Sequence, residues 1–416
     1  MNIGYASKTY GIRNTKIRSI TLKNASEENL IEVIKHNLNS LDNIIDYNIK
    51  NNITFFRISS DIIPLATRPE MTIKWWDIFK EKLNEIGDKI KKAKMRVTMH
   101  PGQYTVLNSL TPSVVEASIE ELEYHHKFLD CLKTDKSSKI ILHIGGVYGN
   151  KDKAMARFIE NYQKLSQGVK DRLIIENDDK SYNIEDVLYI SKKTNIPVVY
   201  DNLHNEILGA SKAMSDNDWI KLASKTWQKA DGRQKVHYSQ QASDKKIGTH
   251  SQTTYLTPFL AYYNSLDIDV DIMLEVKDKN LSTIKINNAL RDNKIIELES
   301  QWSKYKYTIL EKSPQNYNAI RQLLKDKEAY PVLEFYDLIE KTLDLPEDKR
   351  YCVNALDHVW GYFKKQASEK ERQKYFSLIS DYQSGAKRLE LVKNHLEKLA
   401  VKYKEEYLLA AYYFYI

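Results

Sequence analysis

The sequence is poor in the residues that mark small secreted, fibrous and membrane proteins. Its two cysteines, Cys131 and Cys352, are isolated, so neither a disulfide framework nor a zinc ribbon is expected. The 13 glycines and 9 prolines are too few for a collagen-like or linker-like chain. No apolar run approaches the roughly 20 residues of a membrane span, and residues 1–5 do not resemble a signal peptide. We therefore expect a globular microbial protein that acts in the cytoplasm and has no membrane partner.

Charge is nearly balanced along the chain and points to no particular partner. The 416 residues carry 63 Lys and Arg against 56 Asp and Glu, a formal net charge of +7, and residues 301–416 carry 20 against 17. Such values permit a nucleic-acid ligand without indicating one. The length predicts two or three domains, and 42% hydrophobic residues are enough to form a sizeable core.

Short β-branched runs alternate with helix-period stretches over the first 290 residues. The runs cover 2–6, 54–59, 95–100, 139–144, 172–176, 197–201, 235–239 and 269–276. A helix is expected between most of them, the first over 24–51 with Asn24 as its cap. Eight such repeats predict an α/β fold, a (β/α)8 TIM barrel. A doubly wound open sheet is the structural alternative.

After about residue 300 the pattern changes. Residues 301–416 have almost no strand signal, and their helical stretches are rich in Lys, Glu, Leu and Tyr. We therefore expect two domains, a barrel over 1–300 that carries the chemistry and a small all-α domain over 301–416.

Residue types that bind metals stand where the predicted strands end. His100, His143, Glu176 and Asp201 each follow a run of apolar residues. A carboxylate or imidazole in that position is desolvated and needs a partner, for which a divalent cation is the strongest candidate and a buried hydrogen-bond network the alternative. The carboxyl ends of barrel strands form one mouth, so these side chains are expected to converge.

Four more candidates lie near the last three strands. His204 follows Asp201, His237 shares one face of its strand with Lys235, and His250 and Glu275 come later. Mixed imidazole and carboxylate ligands suit Zn²⁺, Mn²⁺ or Fe²⁺ better than Ca²⁺, and a carboxylate such as Glu176 could bridge two ions. Sites with several cations typically hydrolyse phosphoesters.

The neighbouring histidines His125 and His126 lie in a predicted helix. Since helical neighbours do not share a face, we expect surface positions for them and no part in metal binding.

These strand-end motifs carry a resemblance to a known family. They read GY at 4–5, RISS at 57–60, HPGQY at 100–104, LHIGG at 142–146, IEND at 175–178, DNLH at 201–204, KVHYS at 235–239, GTH at 248–250 and LEV at 274–276. In order and spacing they resemble the UV damage endonuclease family, which is related to endonuclease IV. The resemblance covers about residues 1–290. It implies a barrel with a three-metal cluster that nicks double-stranded DNA immediately 5′ of a UV photoproduct, leaving a 3′-hydroxyl and a 5′-phosphate.

The resemblance also implies roles for individual residues. The implied metal ligands are His100, His143, Glu176, Asp201, His204, His237, His250 and Glu275. The implied ions are two or three divalent cations, with Mn²⁺ first and Zn²⁺ or Mg²⁺ as alternatives. Glu176, Lys235 and His237 take the catalytic roles, and Lys235 matches a lysine that is carboxylated in the family. Gln103 and Tyr104 match a pair inserted into DNA at the lesion, and Tyr5 matches a tyrosine near the damaged strand. No obligate protein partner is expected.

Two departures from the family pattern bear on the third metal and on DNA contacts. A family histidine in the loop after the second strand is replaced by the sequence ATRP at 66–69, and Thr9 stands where an asparagine is expected. Two rival functions therefore stay open. One is a divalent-metal sugar isomerase or epimerase on the same barrel, and the other is a DNA-damage-binding protein that Arg68 has made catalytically impaired.

The C-terminal region has a resemblance of its own. The strings KY at 306–307, SPQNY at 313–317 and HVWGYFKK at 358–365 resemble an uncharacterised helical domain that occurs alone or fused to other proteins. This match covers nearly all of 301–416 and implies no activity.

Overall fold

Eight short parallel strands pair in chain order and close into a barrel. A computed structural model describes residues 1–211, 213–291 and 294–416. The strands are β1 (Ile3–Ala6), β2 (Phe55–Ile58), β3 (Arg96–Met99), β4 (Ile140–His143), β5 (Leu173–Glu176), β6 (Val198–Asp201), β7 (Lys235–Tyr238) and β8 (Asp271–Leu274). Pairing of β1 with β8 closes the sheet. The predicted (β/α)8 barrel is therefore confirmed, and the open sheet is excluded.

Helices follow the strands as the sequence pattern predicts. Between the strands lie α1 (Glu27–Lys50), α2 (Trp75–Ile78), α3 (Lys80–Lys92), α4 (Pro112–Cys131), α5 (Lys151–Tyr162), α6 (Gln167–Arg172), α7 (Ile184–Thr194), α8 (Asn202–Ile207), α9 (Asp216–Ser224) and α10 (Leu256–Ser265). The predicted cap of α1 is wrong. Asn24 lies in a preceding 3-10 turn, and the hydroxyl of Ser26 instead accepts the bond from the Asn29 backbone N–H.

The barrel interior is built in layers that put the polar strand ends on top of an apolar floor. Ile141, Ile174 and Val199 of β4, β5 and β6 are fully buried and pack together. His143, Glu176 and Asp201 lie two residues further along the same strands, and therefore point inward above that floor. Burial of each such apolar side chain contributes about 1.5–3 kcal/mol, which holds the strand ends in place.

Ion pairs close the opposite, amino end of the barrel. Nη1 of Arg96, at the start of β3, lies 2.9 Å from Oδ2 of Asp271, at the start of β8. Nη1 of Arg233 lies 3.0 Å from the other oxygen of Asp271. Close strand packing also needs Gly4, because a Cβ there would lie 2.5 Å from the Phe55 carbonyl oxygen. Ion pairs and close contact between β1 and β2 thus hold the strands together.

The helices after β8 are α11 (Asn280–Leu290), α12 (Ile295–Lys312), α13 (Pro314–Leu323), α14 (Val332–Leu343), α15 (Lys349–Trp360), α16 (Glu369–Gln383), α17 (Leu389–Lys402) and α18 (Glu406–Leu409). The chain forms two compact units, one of Met1–Thr9 with Asn14–Thr283 and one of Tyr10–Arg13 with Ile284–Ile416. The second unit has its own apolar core, in which the Trp360 and Tyr375 rings stack with centroids 4.4 Å apart. The first is the barrel, and the second is all-α in its described residues.

Over the part of the chain that the structure describes, no helix combines the length and the apolar character needed to span a membrane.

Candidate metal centre

Strand register brings the predicted ligands together in pairs. His143 at the end of β4 is opposite Glu176 of β5, and Asp201 at the end of β6 is opposite His237 of β7. His143, Glu176 and Asp201 are the last residues of their strands, and His237 lies one residue before the end of β7. The four residues therefore lie side by side at the carboxyl end of the barrel.

Glu176 is the centre of this group. Its carboxylate is buried, with 1% of the residue exposed. On Oε1, the Nδ1 atom of His237 lies 2.8 Å away and Nδ1 of His204 lies 3.4 Å away. On Oε2, the Nε2 atom of His100 lies 3.6 Å away and Nε2 of His143 lies 3.9 Å away. Four imidazoles from four strand ends thus surround one carboxylate.

The donor atoms fit divalent cations. Two sets of atoms lie within 4.8 Å of one another, one from His100, His143 and Glu176 and the other from Glu176, Asp201 and His237. Buried atoms in these sets have no hydrogen-bond partner: Oε2 of Glu176, Oδ2 of Asp201 and Nε2 of His237. An unpartnered buried carboxylate oxygen is costly, and a cation on each set would remove that cost. Both sets include Glu176, which suits a bridging ligand.

Burial and mutual charge shift the pKa values of these groups. Although burial opposes it, interactions with the surrounding imidazoles, that of His237 first among them, hold the pKa of Glu176 well below its usual value. Burial raises the pKa of Asp201 to about 7. Burial lowers the pKa of His237 to about 4. For His204, the charges of Asp201 and Glu176 outweigh burial and raise the pKa to about 10. The site therefore holds ionised Glu176 against a protonated His204.

His250 and Glu275 lie at the rim. Both line a cavity of about 430 Å³ that is also lined by His100, His143, Glu176 and His204. Neither belongs to the two close sets of donor atoms. Glu275 is instead bound at two points by Arg57, whose Nη1 contacts Oε1 and whose Nη2 lies 3.3 Å from Oε2. Their roles as metal ligands stay a prediction.

Lys235 and Tyr5 are both fully buried. Nζ of Lys235 lies 3.4 Å from the Thr98 hydroxyl, and burial, together with the Arg57 charge, holds its pKa well below the usual value. Tyr5 is 0% exposed, and its hydroxyl hydrogen-bonds to Thr9 and donates to Asn48. Because no part of Tyr5 is exposed in this structure, its contact with DNA stays a prediction.

Gln103 and Tyr104 lie in the loop after β3, and Gln103 lines the cavity. Tyr104 is 69% exposed, an unusual position for a large aromatic ring. Its ring covers Gly102, where a Cβ would lie 2.3 Å from the Tyr104 Cε1 atom. The loop thus presents an aromatic ring to solvent next to the candidate metal ligands, as the predicted insertion into DNA requires.

Two features of the site differ from or extend the sequence reasoning. The prediction of a surface position for His125 is wrong, because this side chain is fully buried in α4 and its Nδ1 lies 2.7 Å from the Glu121 carbonyl oxygen. The contact of Arg57 with Glu275 is a feature of the site that the sequence motifs do not indicate. The alternation of side chains along β2 could have indicated this position. Phe55 packs inside the barrel, and Arg57, two residues later, is on the same side of the strand.

Fold and site together define a (β/α)8 barrel protein with a candidate centre for divalent cations at the carboxyl ends of its strands. The chain belongs to the family described as UV-endonuclease UvdE, which it matches over residues 2–306. The family resemblance found in the sequence is therefore confirmed, and the chain is an endonuclease of the UV DNA damage type.

Relatives support this assignment over most of the chain. The UV DNA damage endonuclease of Clostridium perfringens (strain 13 / Type A) is 41% identical over 408 residues, which cover 97% of this chain and 96% of that protein. That of Bacillus cereus (strain G9842) is 35% identical over 271 residues, 64% of this chain and 85% of that protein. The crystal structure of SacUVDE is 42% identical with a TM-score of 0.67, and covers 70% of this chain and 98% of that chain.

The C-terminal region matches a different family. Residues 306–416 match a protein family of unknown function, DUF1722. The resemblance to an uncharacterised helical domain is thus confirmed, and it assigns no activity to this region.

Proposed function

We propose that this protein is a DNA repair endonuclease that hydrolyses the phosphodiester immediately 5′ to UV photoproducts in duplex DNA, leaving a 3′-hydroxyl and a 5′-phosphate. The observation that carries the proposal is the convergence of four imidazoles on the buried carboxylate of Glu176, with unpartnered oxygens on both Glu176 and Asp201. Family membership supplies the substrate class. A DNA substrate also places the activity in the cytoplasm, with the nucleoid.

Two or three divalent cations would be held by the candidate ligands. Glu176 would bridge two of them, with His100 and His143 on one side and Asp201 and His237 on the other. His204, His250 and Glu275 complete the proposed set. Bound cations would supply Lewis-acid stabilisation of phosphoryl charge and an activated water nucleophile. Mn²⁺ is the proposed ion, with Zn²⁺ or Mg²⁺ as alternatives, because imidazole and carboxylate donors are mixed.

The protein's own groups set up the protonation state that hydrolysis needs. Glu176 is held ionised and His237 neutral, so both are able to act as ligands at neutral pH. Lys235 is buried with its pKa well below the usual value, which favours the uncharged amine over an ammonium in the floor of the site. These three residues are the proposed catalytic groups.

Lesion recognition is proposed for the exposed loop after β3. A photoproduct weakens stacking and pairing, so damaged duplex is cheaper to open than intact duplex. Gln103 and Tyr104 would fill the gap, the ring by stacking and the amide by hydrogen bonds. Both residues are exposed and lie beside His100, which would couple lesion recognition to the candidate metal centre.

One assay tests the proposal. UV-irradiated and untreated supercoiled plasmids are incubated with the protein in Mn²⁺, and with EDTA in a parallel series. We expect nicking of the irradiated plasmid only, abolished by EDTA, and on a defined photoproduct duplex a 3′-hydroxyl at the 5′ side of the lesion. Metal-dependent binding without nicking would instead favour an impaired damage-binding protein, and inactivity toward DNA with turnover of a keto sugar would favour an isomerase or epimerase.

A further inference from the structure

Three basic residues leave neighbouring strand ends at one side of the barrel mouth. Ala6 of β1 is opposite Arg57 of β2, and Gly4 of β1 is opposite Met273 of β8. Lys8 follows β1 by two residues, Arg57 is the third of the four residues of β2, and Lys279 lies between β8 and α11. The order of strands in the closed sheet, β8–β1–β2, thus gathers them.

Arg57 is held inside this group by a carboxylate. Its two-point contact with Glu275 is largely buried, with 13% and 14% of the two side chains exposed. Phe55 and Met273, two residues earlier on β2 and β8, are fully buried and in one apolar cluster, so the pair lies on a rigid floor. A planar guanidinium that meets a carboxylate in this way has the geometry to bind phosphate oxygens in the same way.

Lys8 is aimed by an unusual turn. Ser7 has a φ of +66°, and the Lys8 N–H donates to the Ala6 carbonyl at 2.8 Å, which closes a tight three-residue turn. The Ser7 N–H donates at 2.8 Å to the carbonyl of Arg57. A turn with positive φ at a residue other than glycine is rare and strained, and such strain collects at functional sites. The turn therefore brings the backbone of the exposed Lys8 close to the backbone of Arg57.

Lys279 brings a third positive charge to the same place. Like Ser7, it has a positive φ, +55°. Burial lowers the pKa of Lys279, Glu275 opposes this, and Arg57 and Lys8 lower it further. The charges of Glu275, Arg57 and Lys8 therefore all act on Lys279.

We propose that Lys8, Arg57 and Lys279 form a clamp for one phosphate of the DNA backbone, next to the candidate metal centre. The clamp rests on the proposed function, which supplies the DNA strand, and it assigns a substrate contact to three residues outside the metal ligands. If Glu275 bound a cation, Nη1 and Nη2 of Arg57 would become available to the phosphate. The two lysines would contribute positive charge but no fixed hydrogen-bond geometry, as is usual for lysines that bind phosphate.

The test uses Lys8→Gln and Lys279→Gln in the full chain, with Lys35→Gln as the control. Lys35 is exposed on the outer helix α1 and is not part of the clamp. We measure kcat and KM on a duplex with one photoproduct at several salt concentrations, and cations per chain by elemental analysis. Each phosphate contact contributes about 0.9 to the slope of log affinity against log salt. In each clamp variant the slope of log(kcat/KM) against log salt should become shallower by up to about 0.9, with kcat and cation content unchanged, whereas the slope of Lys35→Gln should match the wild type.

A second arm locates the phosphate. Single methylphosphonates, which remove one backbone charge, are placed along the strand outside the scissile position. At one position the neutral group should raise the KM of the wild type, and it should raise the KM of Lys279→Gln by a smaller factor, because that variant has already lost part of its contact with the same phosphate. Salt slopes equal to wild type in both lysine variants would overturn the clamp, as would a loss of bound cations. A wild type that does not nick irradiated DNA contradicts the proposed function and the clamp together, whereas a wild type that nicks, with unaltered variants, contradicts the clamp alone.

Discussion

Nδ1 of His237 lies 2.8 Å from Oε1 of Glu176, although 61 residues separate the two in the chain. The contact joins the ends of β5 and β7, and both side chains are buried. Nε2 on the other side of the His237 ring is buried without a hydrogen-bond partner, so this nitrogen is the one available to a cation. Glu176 therefore holds the ring orientation, and loss of its charge should affect both proposed cation positions.

Glu176→Gln should abolish nicking of irradiated plasmid while leaving the fold intact. An amide keeps the size of the side chain but has one oxygen and no charge, so it cannot bridge two cations. Cation content by elemental analysis should fall, and circular dichroism should match the wild type. Glu160→Gln, on the exposed face of α5, serves as the control and should behave as wild type. Wild-type turnover by Glu176→Gln at saturating metal would contradict the multinuclear mechanism.

The double variant Gln103→Ala with Tyr104→Ala should lose discrimination between damaged and intact duplex. Stacking by one aromatic side chain contributes about 1–3 kcal/mol, so the affinity ratio should fall by about tenfold or more. Cation content should stay at the wild-type value because neither side chain is a candidate ligand. Tyr189→Ala removes another exposed tyrosine, on α7, and is the matched control. If wild type and double variant bind a photoproduct duplex equally, Gln103 and Tyr104 do not read the lesion.

Cation affinity should rise with pH. A cation binds neutral imidazole, and the pKa of His204 is raised to about 10, so binding at neutral pH must release its proton. Between pH 7 and 10 the association constant should rise about tenfold per pH unit. The pKa of Asp201 is about 7, so a second proton is released below that pH and the dependence should steepen. Competition with a chelating dye from pH 6 to 8.5 measures this.

Asp201→Asn provides the control for the pH dependence. It removes the second titrating group and also the carboxylate that raises the pKa of His204, so the steep region below pH 7 should disappear. An affinity for Mn²⁺ that does not change over this range would show that the site is not protonated as described.

Removal of residues 301–416 should leave a folded barrel with lesion-dependent nicking. All proposed ligands precede residue 276, and a barrel of about 250 residues normally has a sufficient core. The shortened chain should keep its cations and melt in one transition, with affinity for DNA as the property that is free to change. An insoluble or cation-free fragment would show that the helical region is part of the fold of the barrel and that the proposed domain boundary at residue 300 is misplaced.

The architecture could be predicted from the sequence because its signals are local. A β-branched run that ends in a polar side chain identifies both a strand and its functional end, as at Leu173–Glu176. The motifs around these strand ends also identify the family, because their order and spacing can be read from the sequence alone. By contrast, the cap of α1 was misplaced by two residues, because Asn24 and Ser26 are both good caps and only the chain path selects between them.

The sequence by itself determined which side chains are buried at the strand ends, since an apolar run leaves its last residue no other place. Only the tertiary structure decided which of them meet. Closure of the barrel pairs β8 with β1, which lies between β8 and β2, and so allows Arg57 to reach Glu275. Packing of α4 buries His125, on a helix face that the neighbouring positions alone do not indicate. These relations depend on strand register and ring closure, which join residues more than 200 positions apart and leave no local pattern in the chain.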